Sequence, residues 1–202
     1  MRQPFSIELA TIADRETRGG NSLYIAALSP DAGFVQAMKK ISFKKASQMP
    51  DLFDDVSVEG EISPPSTLKF AREITVLKRR GGIADDYSSF EQASLIAQTI
   101  LKNARHIENS RLLSQRLRAA LDSIAEGAPP EIVRLKFMYL LARDEGYAVR
   151  EDFFKNLTEP KKALFSELVK RPSKELSQYR SLASDILGQL CGWIRSETDI
   201  TD

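Results

Sequence analysis

The sequence has very few residues of the kinds that build disulfides and metal sites. Its 202 residues include one cysteine, Cys191, and one histidine, His106. A disulfide within the chain needs two cysteines, and a structural zinc site takes four cysteine or histidine ligands, so neither can form. We therefore expect no metal and no cofactor. Cys191 is interpreted as a small buried residue on the inward face of the last helix.

Sequence motifs of catalysis are missing as well. There is no Gly-x-x-x-x-Gly-Lys phosphate loop, no nucleophile elbow and no His/Cys/Asp cluster with metal-ligand spacing. His106 lies between two predicted helices, outside any carboxylate–hydroxyl constellation, which favours a surface or capping residue over a catalyst. The sequence therefore predicts a protein that is not an enzyme and has no catalytic residues.

Long hydrophobic runs are absent. No apolar run approaches the roughly 18 residues of a membrane span, and the opening Met-Arg-Gln-Pro-Phe-Ser-Ile-Glu lacks the features of a signal peptide. The chain is 42% hydrophobic and 28% charged, which excludes the class of disordered proteins. We expect a soluble, cytoplasmic protein without a membrane partner.

Charges of one sign are concentrated in two adjacent segments, although the net charge of the chain is only +1. Residues 34–50 carry four lysines and no acid, and residues 51–61 carry five acids and no base. Lysines without counter-charges at the end of a predicted hairpin suit a backbone phosphate partner. The alternative is a solvated, lysine-rich loop that protects an edge strand, and composition alone favours it.

Up to about Lys78, apolar and polar residues alternate, which is typical of β-strands. Turn residues separate five short predicted strands. The fifth of them is predicted to place four apolar residues on one face, Leu68, Phe70, Ile74 and Val76. This pattern suits a small barrel of the OB type, and an SH3-like barrel fits the strand count almost as well.

After the junction Lys78-Arg79-Arg80-Gly81-Gly82, the apolar period becomes that of helices. Ser88 and Glu91 have the spacing of a capping box. Residues 130–145 are apolar on nearly all sides, which predicts the central helix of a bundle. The predicted fold class is α+β: an N-terminal five-stranded OB-type β-barrel in residues 1–80, followed by an all-α helical bundle domain in residues 81–202.

Several short motifs occur in an order that resembles one protein family. Gly20-Asn21-Ser22-Leu23 follows the first strand, and Leu28-Ser29-Pro30-Asp31-Ala32-Gly33 precedes a strand and the lysines. Leu52-Phe53 begins the next strand, and Phe137-Met138-Tyr139-Leu140-Leu141 is followed by Gly146-Tyr147. The ordered set resembles the RecO family of recombination mediators, which help load recombinase onto single-stranded DNA and anneal complementary strands.

The chain departs from this family at two places. Many members carry a four-cysteine zinc module after the Gly-Tyr element, where this chain has only Val149–Phe154 before its next helix. Asn21 stands where an acid is common. The resemblance therefore extends to the barrel and the helices and excludes the zinc module.

The resemblance implies a DNA-repair protein associated with the nucleoid. Its partners would be single-stranded DNA, a RecR-type mediator protein and the acidic tail of the single-strand-binding protein. That tail would seek a basic-rimmed apolar pocket in the helical part. Candidates for the rim are Arg105, Arg111, Arg116 and Arg118.

The lysine segment and the basic junction supply the predicted nucleic-acid-binding residues. These are Lys39, Lys40, Phe43, Lys44, Lys45, Lys78, Arg79 and Arg80, with Phe43 as the base-stacking residue. The alternative function is a non-catalytic protein-interaction scaffold of the same fold with little DNA binding. In that case the five acids of residues 51–61 would neutralise the lysines.

Overall fold

The computed structural model describes residues 3–41, 49–62 and 68–202. They form two compact units: the described residues up to Arg80 together with 104–115, and residues 81–103 together with 116–202. Residues 104–115, which the predicted boundaries place in the helical domain, thus belong to the first unit. There, Ser110 Oγ donates to the carbonyl of Pro30 at 3.1 Å, and Arg111 forms an ion pair with Asp31.

Five strands close into a ring in the first unit. They are β1 (Gln3–Arg18), β2 (Ser22–Ser29), β3 (Gly33–Lys40), β4 (Asp55–Ile62) and β5 (Lys69–Lys78). Their order around the ring is β1-β2-β3-β5-β4. β3 and β5 are parallel, and the other neighbouring pairs are antiparallel. The predicted α+β class with an N-terminal five-stranded barrel is confirmed.

Alternate residues of each strand point into the barrel. The inward positions are occupied by small and branched apolar side chains. The buried set is Ile7, Ala10, Ile12, Leu23, Ile25, Ala27, Val35, Ala37, Val56, Val58 and Ile74. The pairing of β1 with β4 shifts register between Ile7 and Ala10. Because of this shift, Ala10 and Ile12 continue the inward face of β1.

β5 contains one residue more than its partner strand at a β-bulge. Glu73 pairs with Glu59, and Ala71 pairs with Gly60, so that Arg72 is the extra residue. A bulge of this kind reverses the alternation of side chains along the strand. Before the bulge, the odd-numbered residue Ala71 therefore faces the core. After the bulge, the even-numbered residues Ile74 and Val76 do so.

The bulge turns Phe70 away from the core. Ala71 packs against the core on one side of the bulge, and Ile74 and Val76 do so on the other. Phe70 is 46% exposed. The prediction that Phe70 shares a face with Ile74 and Val76 is therefore wrong, because strict alternation does not hold across a bulge.

The second unit consists of helices. Its elements are α1 (Tyr87–Asn103), the part of α2 (Ser110–Ala125) from residue 116 onward, α3 (Pro130–Asp144), α4 (Glu159–Lys170) and α5 (Arg180–Glu197). A 3₁₀ segment, Ser173–Tyr179, precedes α5. α3 packs against α1, α4 and α5, which confirms its predicted central position. Among the described residues, no helix has the length and apolar character needed to cross a bilayer.

The first helix is capped by a residue other than the predicted pair. Asp86 Oδ2 accepts a hydrogen bond from the amide of Ser89 at 2.8 Å, and this bond lowers the pKa of the Asp86 carboxyl. Ser88 instead donates its hydroxyl to Glu131 at 2.9 Å. α1 thus begins at Tyr87 with Asp86 as its N-cap, and the capping-box prediction for Ser88 is wrong.

A buried ion pair fixes the chain where the first unit ends. Nη1 and Nη2 of Arg80 donate to the two carboxylate oxygens of Asp55 at 2.9 and 3.0 Å, and both side chains are almost completely buried. Arg80 also donates to the carbonyl of Phe53, and Thr11 Oγ1 donates to Asp55 at 2.7 Å. Burying two charges costs free energy, which the pairing and these hydrogen bonds offset.

Replacing Asp55 by Asn should destabilise the protein strongly. The substitution keeps the volume of the side chain but leaves a buried guanidinium without its counter-charge, which costs about 3–5 kcal/mol of unfolding free energy. Chemical denaturation followed by circular dichroism measures the change. Asp51→Asn is the control, because the Asp51 side chain is 69% exposed and should change stability by under about 0.5 kcal/mol. Equal stability of the two variants would contradict this account.

Candidate functional site

A cleft of about 630 Å³ opens on the barrel beside the lysines that end β3. Residues of β3, β4 and β5 line it, namely Met38, Lys39, Lys40, Glu61, Phe70, Ala71 and Arg72. The cleft begins where β3 and β5 pair, at Met38 and Phe70. A groove that combines cations with an exposed aromatic ring has the two features by which proteins bind single-stranded nucleic acid.

The predicted residues Lys39 and Lys40 both lie in this cleft. They occupy the last two positions of β3 and pair with Leu23 and Ser22 of β2, so the sheet fixes their backbone. Lys40 is exposed and Lys39 is half-buried. In the described part of the chain, neither ammonium group has an ion-pair partner. Their charges can therefore be directed to a phosphate group in the cleft.

Three predicted residues, Phe43, Lys44 and Lys45, lie outside the described residues. Their predicted roles stay predictions, because they rest on the sequence alone. Of the predicted nucleic-acid-binding residues, the cleft thus brings together Lys39 and Lys40.

The basic junction after β5 does not line this cleft. Arg80 is buried against Asp55, so its guanidinium is closed to a phosphate, and the prediction that it binds nucleic acid is corrected on this ground. Arg79 donates to Asp54 at 3.3 Å and to the carbonyl of Met49 at 3.2 Å. Lys78 is exposed at the end of β5, and its role stays a prediction.

Besides the two lysines, the cleft contains an aromatic ring and a further cation that the sequence-based site did not include, Phe70 and Arg72. The Arg72 side chain is 78% exposed and forms an ion pair with Glu61 at 2.8 Å. Both were missed because the bulge was not foreseen. The sequence signal for it is Gly60, since a glycine inside a strand often marks a bulge or a close backbone approach.

The acids of residues 51–61 are engaged mainly within the barrel. Asp55 forms the buried ion pair described above, and Asp54 accepts hydrogen bonds from the amide of Asp51 and from Arg79. Burial raises the pKa of the Asp54 carboxyl, an effect that the hydrogen bond from Asp51 and the charge of Arg79 oppose. Among these acids, Glu61 lines the cleft in the described structure. Of the acids predicted to neutralise the lysines, Glu61 is therefore the one found in the cleft. It forms its ion pair with Arg72.

The helical unit has a separate aromatic pocket of about 330 Å³. It is lined by Tyr139, Arg150, Phe154, Phe165, Ser166, Val169 and Lys170. The rings of Tyr139 and Phe165 meet edge to face with centroids 5.3 Å apart. Arg150 donates to the Tyr139 hydroxyl at 3.4 Å, and this hydrogen bond raises the pKa of Arg150. An apolar side chain with carboxylates beside it fits such a pocket, because Arg150 and Lys170 provide cations beside the rings.

The arginines predicted to rim a pocket do not line this one. Those four are Arg105, Arg111, Arg116 and Arg118. The first two belong to the barrel unit, where Arg105 lies 4.8 Å from the ring centroid of Phe34. The other two belong to the helical unit, where Arg116 pairs with Asp144 at 2.9 Å.

Neither protein families nor curated proteins give a match to this chain. Within residues 3–41, 49–62 and 68–202, no group of three or more His, Cys, Asp and Glu side chains is placed to hold a metal ion. The assignment of function therefore rests on the ordered motifs and on the geometry of the cleft and the pocket.

Replacing Gly60 by Ala should destabilise the barrel at the bulge. A Cβ at this position would lie 2.1 Å from the carbonyl oxygen of Phe70, so β4 and β5 would have to separate. We expect a loss of about 1–3 kcal/mol of unfolding free energy, measured by chemical denaturation. Gly81→Ala is the matched control, because no atom lies within 4 Å of its added Cβ. A Gly60 variant as stable as the Gly81 variant would show that β4 and β5 do not depend on this close approach.

Proposed function

We propose that this protein is a RecO-like recombination mediator. In this proposal it binds single-stranded DNA, anneals complementary strands and helps load recombinase, as a cytoplasmic protein associated with the nucleoid. The observation that carries the proposal is the cleft lined by Lys39, Lys40, Arg72 and the exposed ring of Phe70. The order of the family-like motifs along the chain supports it. No catalytic residue and no cofactor take part.

The cleft suits binding with little sequence preference. Lysine ammonium groups attract any backbone phosphate, and an aromatic ring can stack on any base. The lining residues offer no pair of amide or carboxyl groups arranged to read the edge of a particular base. Annealing follows from the same charges, because cations screen the repulsion between the phosphates of two strands held close together.

The proposed protein partners are a RecR-type mediator and the acidic tail of the single-strand-binding protein. For the tail, we propose the aromatic pocket of the helical unit. Arg150 and Lys170 would pair with carboxylates, and the rings of Tyr139 and Phe154 would cover an apolar side chain. The partner is thus matched to the pocket by charge and by apolar character.

A protein-interaction scaffold is the second candidate function. The ion pair between Arg72 and Glu61 favours it, because it cancels one cation of the cleft. The two lysines still leave the lining with a net positive charge. The salt dependence of DNA binding separates the two functions, since a scaffold would show no phosphate contacts.

Replacing Lys39 and Lys40 together by Gln should weaken DNA binding and make it less sensitive to salt. Each lost phosphate contact removes about 0.7 from the slope of log affinity against log salt, so the pair should remove about 1.4. The measurement is a titration of a labelled single-stranded oligonucleotide between about 50 and 200 mM salt. Adding Gln at positions 44 and 45 tests the residues beyond the described part and should bring the total change to about 2.8.

The control removes the same charge elsewhere. Lys155 and Lys174 are exposed on the helical unit, and Lys174 pairs with Glu126. The double Gln variant at these positions should bind DNA with the slope of the parent. If the control changes the slope and the cleft variant does not, the phosphates bind on the helical unit. If the parent binds no DNA near 50 mM salt, the scaffold is the better account.

Replacing Lys170 or Arg150 by Gln should weaken binding of a short acidic peptide with an apolar C-terminal residue. An exposed ion pair contributes up to about 1 kcal/mol, so each variant should lose up to about 5-fold in affinity. Fluorescence anisotropy of the labelled peptide measures this. Lys174→Gln is the matched control, and equal losses for positions 170 and 174 would place the peptide elsewhere.

A further inference from the structure

One aromatic side chain of the barrel is held in solvent beside two lysines. Phe70 is 46% exposed, although apolar residues of this size usually lose most of their surface on folding. The other large apolar side chains found exposed in the described residues are Leu77, Tyr87, Phe90 and Leu182. None of these four lines the lysine cleft, whereas Phe70 does.

The backbone fixes the position of this ring. Met38 of β3 is the parallel partner of Phe70, and Gly60 of β4 lies against its carbonyl on the other side. With strands on both sides, the Phe70 main chain cannot rotate the ring into the core. The bulge at Arg72 then directs Phe70 outward while Ala71 fills the inward position.

The charges beside the ring fit one nucleotide unit. Lys39 and Lys40 stand on the β3 side of the cleft, and Arg72, two residues beyond the ring on β5, pairs with Glu61. A nucleotide carries a flat base and a phosphate, which match a ring and neighbouring cations. A protein partner would instead require a wider apolar surface, and the remaining apolar lining consists of Met38 and Ala71.

We propose that Phe70 is a base-stacking residue of this cleft, placed by the Arg72 bulge that Gly60 permits. This rests on the proposed binding of single-stranded DNA. The base lies on the Phe70 ring while a flanking phosphate binds Lys39 or Lys40. The role does not depend on the predicted stacking by Phe43.

The test compares a normal oligonucleotide with an abasic one of the same length. Phe70→Leu keeps an apolar side chain but has no π-face, so its affinity for the normal oligonucleotide should fall by about 5- to 150-fold. Phe70→Tyr should bind like the parent. The abasic oligonucleotide keeps the phosphates, so the parent and Phe70→Leu should bind it equally and with the parent's salt slope.

Leu77→Ala is the control, because Leu77 is a large apolar residue of the same strand and is 52% exposed. It should leave both affinities unchanged, and melting curves show that all variants are folded. If Phe70→Leu binds both oligonucleotides like the parent, stacking is overturned while the phosphate contacts stand. If the parent binds neither oligonucleotide, both this inference and the proposed function are overturned.

Discussion

The geometry of the candidate site depends on the close backbone approach of β4 and β5 at Gly60. A side chain at this position would collide with the Phe70 carbonyl, so the absence of a Cβ allows β5 to carry an extra residue there. The extra residue reverses the alternation of side chains, which puts Phe70 and Arg72 on the outer surface and keeps Ile74 and Val76 inside. The side chains that β5 presents in the cleft therefore depend on a packing constraint in the neighbouring strand, β4.

Four of the basic residues predicted to bind nucleic acid, Lys39, Lys40, Arg79 and Arg80, differ in their counter-charges. Arg80 and Arg79 are bound to the neighbouring aspartates, so their charges serve the fold. Lys39 and Lys40 end β3 beside the start of β5, where they face a cleft rather than an acid of the 51–55 segment. The sequence-based prediction grouped all of them by charge, whereas burial divides them.

Much of the fold could be predicted from the sequence, because it follows from periodicity. Alternating apolar residues predicted the strands, and the apolar circumference of residues 130–145 predicted the central helix. The site was predicted less well. Its lysines were found from charge alone, but Phe70 was assigned to the same strand face as Ile74 because their spacing is even, and a bulge changes that parity. The burial of Arg80 depends on Asp55, a partner 25 residues away, which no local pattern reveals.

The parallel pairing of β3 and β5 has a consequence for the dynamics of the barrel. Among the described residues, the ladder between these strands has Ala37–Lys69 and Met38–Phe70 as its paired positions, and it is much shorter than the antiparallel ladders of the ring. Few backbone hydrogen bonds resist separation there, so its amide protons exchange with solvent through local opening, at a lower free energy than those of the long ladders. A ligand that binds both strands stabilises the closed ring by its binding free energy. It therefore slows the exchange of the amide protons between β3 and β5.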